Sequence, residues 1–277
     1  MIGLADVTLC CIDCATPVLA LRALHASLDQ CEFGAALLLT DAAITDARVV
    51  VRRIARVYSA ASYSAFVLKH LAAHVATDFV LLVQWDGWVI DGARWERGFR
   101  DFDYIGAPWG WLAPGRDIGN GGFSLRSRRL LAVLADAAFP VAHPEDEWIG
   151  QVWRPALEQH GLRFADTATA RRFAVELDQS PAPSFGFHGL SDFWRAVAPG
   201  ALAEVLGLLP APAAGSILAQ NLMLSYCVRA RWAEAELVHR RIAQAIGRTA
   251  LVARLAELPG LASAEALVAE IAARGAG

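Results

Sequence analysis

The sequence is almost devoid of lysine and has no excess of either charge. Lys69 is the only lysine among 25 basic residues, and with 28 acidic residues the formal net charge is −3. An arginine-rich and alanine-rich composition bias accounts for this pattern, because arginine and lysine serve equally well on a solvated surface. A nucleic-acid-binding surface needs clustered positive charge. No nucleic-acid partner is therefore expected.

Long hydrophobic runs are missing as well. No segment reaches the ~18 consecutive apolar residues of a membrane span. The N-terminus carries Asp6 and Asp13 but no positive charge before Arg22, which is unlike a secretory signal. Yet 56% of the 277 residues are hydrophobic and 19% are charged, as in folded globular proteins of one or two domains. We expect a protein that is not integral to a membrane.

Cysteine is scarce and unevenly placed. The five cysteines are odd in number and four of them lie within the first 31 residues, which does not suggest a disulfide framework. A cytoplasmic, reducing location is inferred. Cys11 and Cys14 have the spacing of a redox pair or of half a zinc site. A second such pair is missing, so small buried thiols are the favoured interpretation.

What the chain does contain is an alternation of strand-like and helix-like segments. The predicted order is strand 7–13, helix 16–27, strand 36–40, helix 63–75, strand 79–83, helix 93–102, strand 103–106, and helices that begin near 128 and 144. This alternation predicts an α/β fold with a mixed, mainly parallel sheet flanked by helices. Ligands of such sheets bind beyond the carboxyl ends of the strands.

The composition changes after residue 198, where the chain becomes rich in alanine and leucine and has no strand-like run. We predict a linker over 208–215 and helices over 216–230, 233–246, 249–258 and 263–274. The predicted organisation is an α/β domain over 1–198 and an α-helical tail over 199–277. The tail is expected to serve packing or homo-oligomerisation and to carry no chemistry.

Asp86 follows the continuous apolar run 79–83, at the expected carboxyl end of a buried strand. Trp85 and Trp88 stand on either side of it, and Gly87 follows directly. A carboxylate in this position suits Mg²⁺ or Mn²⁺, which leave coordination positions open for substrate phosphates. The alternative is that a lone aspartate caps a tight turn.

A glycine-dense segment at 119–127, which includes Asn120, Gly121 and Gly122, precedes a predicted helix. Its backbone can approach a ligand closely and donate amides to it. The segment has neither the P-loop ending nor the GxGxxG spacing, and a tight β-turn is an equally good interpretation.

Three adjacent acids, Glu145, Asp146 and Glu147, open a predicted helix. Acids are favoured there by the helix dipole alone. In a functional interpretation, one acid orients an acceptor hydroxyl and another takes its proton as general base. His188 lies between aromatic and glycine residues, where an imidazole is available for metal or phosphate, although surface histidines are common.

The order of these motifs resembles that of a family of largely uncharacterised proteins regarded as glycosyltransferases of the GT-A type. The matching segments are YSAFVLK at 63–69, TDFVLLVQWDG at 77–87, DYIGAPW at 103–109, GNGGFSLRS at 119–127, PED at 144–146 and FGFHG at 185–189. The resemblance covers residues 5 to 190. It implies a GT-A-like, Rossmann-like domain that transfers sugar from a nucleotide sugar.

A more distant resemblance links the chain to inverting β-1,4-galactosyltransferases. By position, Asp86 corresponds to the metal aspartate of their Asp-x-Asp motif and His188 to a late manganese ligand. Asp146 corresponds to the base, with Glu145 beside it as the acceptor-orienting neighbour. Gly121, Gly122 and Ser124 correspond to a Gly-Gly-x-Ser turn. Gln84 replaces the first aspartate of Asp-x-Asp, so the cation is expected to bind weakly or not at all.

The resemblance implies a UDP-sugar donor, a carbohydrate or other hydroxyl acceptor and a divalent cation, Mn²⁺ or Mg²⁺. The cation would neutralise the leaving diphosphate, and Asp146 would activate the acceptor for inversion. The implied residues fall into two sets. The donor set is Asp13, Lys69, Trp85, Asp86, Asn120, Gly121 and Gly122, and the acceptor set is Trp109, Trp111 and Trp148.

Two other functions fit parts of the sequence. A nucleotidyltransferase would share the sheet and the metal aspartate, but it would carry a Gly-rich, basic loop after its first strand, which residues 14–17 are not. A catalytically degenerate sugar-nucleotide-binding or scaffold protein is favoured by Gln84 and by the helical tail. Hydrolysis of a sugar nucleotide in the absence of acceptor would separate the transferase from the scaffold.

Overall fold

The computed structural model describes residues 1–113 and 115–275. The last two residues of the predicted tail, 276 and 277, therefore lie outside the described residues. The chain divides into two compact units, residues 1–188 and residues 189–277. The domain boundary predicted after residue 198 lies within the second unit.

The first unit contains all the strands of the described residues. They are β1 (Ile2–Ile12), β2 (Cys31–Thr40), β3 (Val50–Arg53), β4 (Phe79–Val83), β5 (Gly87–Val89), β6 (Tyr104–Gly106), β7 (Phe123–Ser127), β8 (Ala174–Glu176) and β9 (Gly186–His188). Its helices are α1 (Pro17–Leu28), α2 (Ala60–Lys69), α3 (Arg128–Ala135), α4 (Glu145–Glu147), α5 (Arg154–Gln159) and α6 (Thr167–Phe173).

The central sheet has the strand order β3-β2-β1-β4-β7-β6. The four strands β3, β2, β1 and β4 run parallel, whereas β7 is antiparallel to both β4 and β6. A smaller sheet has the order β5-β9-β8, with β5 antiparallel and β8 parallel to β9. The predicted α/β class, with a mixed and mainly parallel sheet flanked by helices, is confirmed.

The central sheet is covered on both faces, and the alternation along β4 shows it. Leu81 and Val83 pack into one hydrophobic cluster, while Val80 and Leu82 pack into a second cluster on the opposite face. Successive side chains of a strand point to opposite faces. A strand buried on both faces therefore reads as an uninterrupted apolar run, which explains why β4 could be predicted from the sequence.

Two predicted helices differ from the structure. The segment 93–102 forms two 3₁₀ segments, Gly92–Arg94 and Arg97–Asp101. Trp95 leaves the helical conformation between them (φ −62°, ψ 124°) and packs its ring 5.1 Å from that of Phe185, so tertiary packing overrides local propensity. The predicted helix 63–75 divides into α2 and the 3₁₀ segment Leu71–His74, because the backbone leaves helical geometry at His70 (φ −123°, ψ −24°).

The second unit is helical throughout its described residues. A 3₁₀ segment, Leu190–Arg195, precedes α7 (Pro199–Leu208), α8 (Ala211–Ala214), α9 (Ile217–Val228), α10 (Trp232–Ile246), α11 (Arg248–Ala256) and α12 (Ala264–Gly275). The helices predicted from 216 onward are thus present, and the predicted linker contains the short α8. Across residues 1–113 and 115–275, no helix is both long and apolar enough to cross a membrane.

Candidate active site

The turn after β4 places Asp86 beside His188. Asp86 is only 6% exposed, and Gly87 directly after it pairs with His188 across the β5–β9 ladder. A Cβ at Gly87 would lie 2.8 Å from the carbonyl oxygen of Phe187, so the ladder requires a glycine at this position. As a result Asp86 Oδ1 lies 3.5 Å from His188 Nε2.

Acidic and amide groups surround both nitrogens of the His188 ring. Nδ1 lies 2.8 Å from Glu176 Oε1, and Nε2 lies 3.2 Å from Gln84 Oε1. Burial by itself would lower the pKa of His188, but the carboxylates of Asp86 and Glu176 outweigh burial and raise the pKa well above its usual range. The two carboxylates therefore favour the protonated ring as long as no cation occupies the site.

The glycine-dense turn between β6 and β7 fits against these groups. A Cβ at Gly122 would overlap the imidazole of His188, and one at Gly121 would lie 2.8 Å from Cβ of Asp146. Asn120 accepts a hydrogen bond from the backbone N–H of Phe123 (3.1 Å) and holds its Nδ2 2.9 Å from His188 Nδ1. Close approach of side chains to the backbone is thus the reason for both glycines.

Asp146 lies in the first turn of α4. Its Oδ2 accepts a hydrogen bond from the backbone N–H of Gly121 (2.9 Å), and its Oδ1 accepts one from that of Glu147 (2.9 Å). Burial and the negative charge of Glu145 raise the pKa of Asp146 to about 6. A π-helical turn, Trp148–Val152, follows directly, and such turns are frequent at functional sites.

Glu145 is turned into the protein rather than toward solvent. It is 4% exposed. Its Oε1 lies 3.3 Å from Nη2 of Arg126, and its Oε2 accepts a hydrogen bond from the hydroxyl of Ser64 (2.9 Å). Arg126 on β7 is fully buried, with its guanidinium 5.3 Å from the ring of Tyr104. Glu145 is therefore a buried partner of Arg126 beside Asp146, and its predicted role of orienting an acceptor is not supported by this geometry.

The cleft, as we call it here, is a cavity of about 410 Å³ beside these groups. It is lined by Trp109, Trp111, Leu112, Asn120, Pro144, Asp146, Glu147, Gln151, Glu176, Leu177 and His188. The structure thus brings Asn120, Asp146 and His188 to one cavity, with Asp86 in contact with the His188 ring. The volume suits a small ligand.

The three tryptophans predicted to bind acceptor separate into two groups. Trp109 and Trp111 line the cleft, with ring centroids 5.8 Å apart and planes within 20° of parallel. Trp148 packs instead against Trp153, 5.3 Å between centroids, at the edge of the hydrophobic core. Trp85 lies in the turn between β4 and β5 and is not among the described lining residues of the cleft.

Asp13 and Lys69 make hydrogen bonds to backbone groups and are not among the described residues that line the cleft. Asp13 accepts hydrogen bonds from the backbone N–H groups of Ala15 and Thr16 and from the hydroxyl of Thr16, and so holds the turn that leads into α1. Lys69 donates to three backbone carbonyls, those of Leu134, Asp136 and Phe139. All three N–H donors of its ammonium group stabilise the end of α3, so a donor contact for Lys69 is not supported.

Two residues of the site were not predicted from the sequence. Glu176 ends β8 without a motif around it, and no sequence signal marked it. Arg126 is the one charged residue in the strand segment of β7. Because charged residues are almost never fully buried unless they are paired, an arginine in a covered strand was a usable signal for a buried carboxylate partner.

The chemistry of Asp86 and His188 bears on the implied cation. Residues 1–113 and 115–275 contain no group of three His, Cys, Asp or Glu side chains that could hold a metal. The available ligands are the Asp86 carboxylate, the amide oxygen of Gln84 and His188 Nε2 once this nitrogen has lost its proton, while Glu176 fixes the ring through Nδ1. Such a set fits a weakly held cation that takes most ligands from water and substrate phosphates.

Comparison with known proteins identifies a family and no curated relative. The model of a family described as "Protein of unknown function (DUF5672)" matches residues 48–188, slightly more than half of the chain. No curated protein matches the sequence. The fold is also similar to that of a mannosyltransferase, PcManGT from Pyrobaculum calidifontis, whose structure contains GDP-Man and Mn²⁺. That similarity has 15% identity and a TM-score of 0.39, over 98% of this chain and 81% of that one.

Proposed function

The chain belongs to the DUF5672 family, and from the chemistry of its cleft we propose that it is a glycosyltransferase. It transfers a sugar from a nucleotide sugar, a UDP-sugar by the motif resemblance, to a hydroxyl acceptor with inversion at the anomeric carbon. The observation that carries this proposal is Asp146, a carboxylate that lines the cleft and whose pKa is raised to about 6. A base of this strength is matched to proton abstraction near neutral pH.

The proposed reaction is a single displacement. An acceptor hydroxyl beside Asp146 gives its proton to the carboxylate, and its oxygen forms a bond to the anomeric carbon of the donor sugar. The bond from that carbon to the diphosphate breaks, and its electron pair leaves with the nucleoside diphosphate. Attack from the face opposite the leaving group inverts the configuration.

Buried charges around Asp146 set its strength as a base. Arg126 pairs with Glu145, so the guanidinium only partly compensates the charge of Asp146. Burial and Glu145 raise the pKa of Asp146, while the Gly121 amide and Arg126 lower it again. Glu145 and Arg126 are therefore positioning residues, and Asp146 is the catalytic residue.

His188 and its neighbours would stabilise the negative charge of the leaving diphosphate. Without a cation, the protonated ring of His188 places positive charge near the diphosphate, and Trp109 and Trp111 offer apolar faces to the acceptor sugar. In a second state, a divalent cation held by Asp86, the Gln84 amide oxygen and His188 Nε2, which would then have given up its proton, would neutralise charge on the departing diphosphate. Because Gln84 contributes no negative charge, this cation is held weakly.

A sugar-nucleotide-binding protein without catalysis is the second candidate, and Gln84 is the observation that favours it. One experiment separates the two. Melting temperature is measured with UDP, UDP-glucose, UDP-galactose, UDP-N-acetylglucosamine and GDP-mannose, with Mn²⁺ or with EDTA, because a ligand of the native state raises it. Release of UDP or GDP from the stabilising donor is then followed in wild type, Asp146→Asn and the control Glu147→Gln.

The transferase predicts stabilisation by at least one sugar nucleotide and slow hydrolysis in wild type and in Glu147→Gln. Hydrolysis is lost in Asp146→Asn, which keeps donor binding. Binding of a sugar nucleotide with no hydrolysis in wild type and in Glu147→Gln would favour the binding protein. Stabilisation by no sugar nucleotide would refute both candidates.

A further inference from the structure

A second cavity of about 570 Å³ adjoins the cleft. The two cavities share Trp111, Glu176 and Leu177 in their walls, and the second one extends from there to Arg171 and Ser180. The cleft alone has the volume of an ordinary small-ligand pocket. The second cavity thus extends the ligand-accessible space beyond the part that contains Asp146.

Trp111 stands at the boundary of the two cavities. Its side chain is 64% exposed, although its ring is held nearly parallel to that of Trp109. An exposed indole held in one orientation offers a flat apolar face, and a sugar ring can pack on such a face with little loss of side-chain freedom. Because Trp111 lines both cavities, this face can contact two successive rings of one ligand.

Leu177 is strained at the same boundary. Its φ of 53° lies in the left-handed region that non-glycine residues seldom adopt, and its apolar side chain is 43% exposed. Backbone strain of this kind is unfavourable and clusters where ligands are held. The fold maintains an unfavourable conformation at the point where the cavities meet.

Arg171 supplies unused hydrogen-bond donors on the side of the second cavity away from the cleft. Its guanidinium makes no hydrogen bond or ion pair with any described residue, whereas the neighbouring Arg172 pairs with Glu96 at 2.8 Å. Asp178 and Glu176 contribute carboxylates to the same wall. Mixed donors and acceptors favour the hydroxyl groups of a neutral sugar over a charged group.

We propose, on the basis of the proposed function, that the acceptor is an oligosaccharide with at least two sugars. Its reacting sugar lies in the cleft beside Asp146. Its next sugar lies in the second cavity, packed on Trp111 and hydrogen-bonded to Arg171. The substrate class is thus a neutral saccharide chain, not a free monosaccharide.

Saccharide binding without donor tests this subsite. The probes are the methyl glycosides of glucose, galactose, mannose and N-acetylglucosamine, together with cellobiose, maltose, lactose, mannobiose and chitobiose, with dissociation constants measured by NMR titration. We expect at least one disaccharide to bind about 10-fold tighter than the matching methyl glycoside. Arg171→Ala should remove most of that gain and leave methyl glycoside binding nearly unchanged, whereas Trp111→Ala should remove the gain and also weaken methyl glycoside binding, because Trp111 lines both cavities. Arg172→Ala, whose partner Glu96 lies elsewhere, is the matched control.

Equal affinity for monosaccharides and disaccharides would overturn the proposal. A disaccharide gain that persists in both Trp111→Ala and Arg171→Ala, or the absence of binding by every probe, would also overturn it. The melting temperature of each variant verifies its fold. Failure of the proposed function is distinguishable from failure of the subsite. It would appear as no rise in melting temperature with any sugar nucleotide and no hydrolysis of one. Donor binding that remains while the disaccharide gain is missing refutes only the subsite.

Discussion

The two sides of the cleft both contain buried acids, but they compensate the negative charge in opposite ways. On the Asp146 side, the one buried cation, Arg126, is paired with Glu145, and the pKa of Asp146 is raised to about 6. On the His188 side, two carboxylates share one imidazolium, and the pKa of His188 is raised well above its usual range. Neighbouring charges decide which group holds a proton.

The contrast gives each side a different chemical capacity. The Asp146 side has negative charge that is only partly compensated and is prepared to accept a proton. The His188 side has a cation held between acceptors and is prepared to meet a departing anion. The proposed reaction needs these two capacities on opposite sides of one anomeric carbon.

The largest expected effect comes from removing the base. Asp146→Asn should retain donor binding and lower transfer by ~100-fold to 10,000-fold, the range of general-base contributions. Initial rates and donor affinity are measured together. Glu147→Gln is the matched control and should be nearly silent, because Glu147 is an exposed acid at the edge of the same cleft. A fully active Asp146→Asn enzyme would contradict the assignment, and activity lost only in Glu145→Gln would move the base to Glu145.

The next largest effect is expected from the buried ion pair between Arg126 and Glu145, beside Asp146. Arg126→Met should lower the free energy of unfolding by about 3–5 kcal/mol, because Glu145 would remain buried with its charge unpaired. Urea denaturation of wild type, Arg126→Met and the double variant Arg126→Met with Glu145→Gln measures the effect. The double variant should recover a large part of the loss. Equal losses in the single and double variants would mean that the pair itself is not the cause.

A smaller effect, on the free energy of unfolding, follows from the raised pKa of Asp146. Its folded-state pKa, about 6, lies above the value of about 3.9 for an unfolded aspartate. Ionisation therefore destabilises the native state, and this destabilisation develops as the pH rises from 4 through 6. Asp146→Asn should be more stable than wild type by about 1–3 kcal/mol at pH 7.5 and equally stable at pH 4. A difference that does not change with pH would refute the raised pKa.

The sequence predicted the sheet and the placement of Asp86 because both depend on local pattern. A strand covered on both faces has an uninterrupted apolar sequence. A polar residue directly after that sequence therefore lies at the carboxyl end of the strand. The roles of Asp13 and Lys69 could not be found in this way. Lys69 donates to backbone carbonyls near the end of α3, and such a distant partner leaves no signature in the sequence around the lysine. Asp13 accepts from N–H groups two and three residues ahead of it, a local turn pattern that the alternation of apolar segments does not show.

Glu176 illustrates the same limit inside the site. It reaches His188 because β8 and β9 pair in parallel, with Glu176 opposite His188. The register of that short ladder depends on tertiary packing, which the sequence pattern of three-residue strands does not fix. Whether Asp146, Asp86 and His188 perform the roles assigned to them by resemblance stays a prediction for the measurements described above.

The smallest expected effect sharpens the His188 side. Replacing the amide of Gln84 by a carboxylate, Gln84→Asp, adds one negative charge near Asp86 and His188, and ligand charge tunes the affinity for divalent cations. Mn²⁺ binding in the presence of UDP should become about 10-fold tighter, equivalent to about 1.4 kcal/mol, as measured by calorimetry. Asp86→Asn is the opposing control and should abolish the response to Mn²⁺ while UDP binding in EDTA is unchanged. If neither Gln84→Asp nor Asp86→Asn changes the affinity for Mn²⁺, the His188 side of the cleft holds no metal. The protonated ring of His188 would then supply the positive charge on that side by itself.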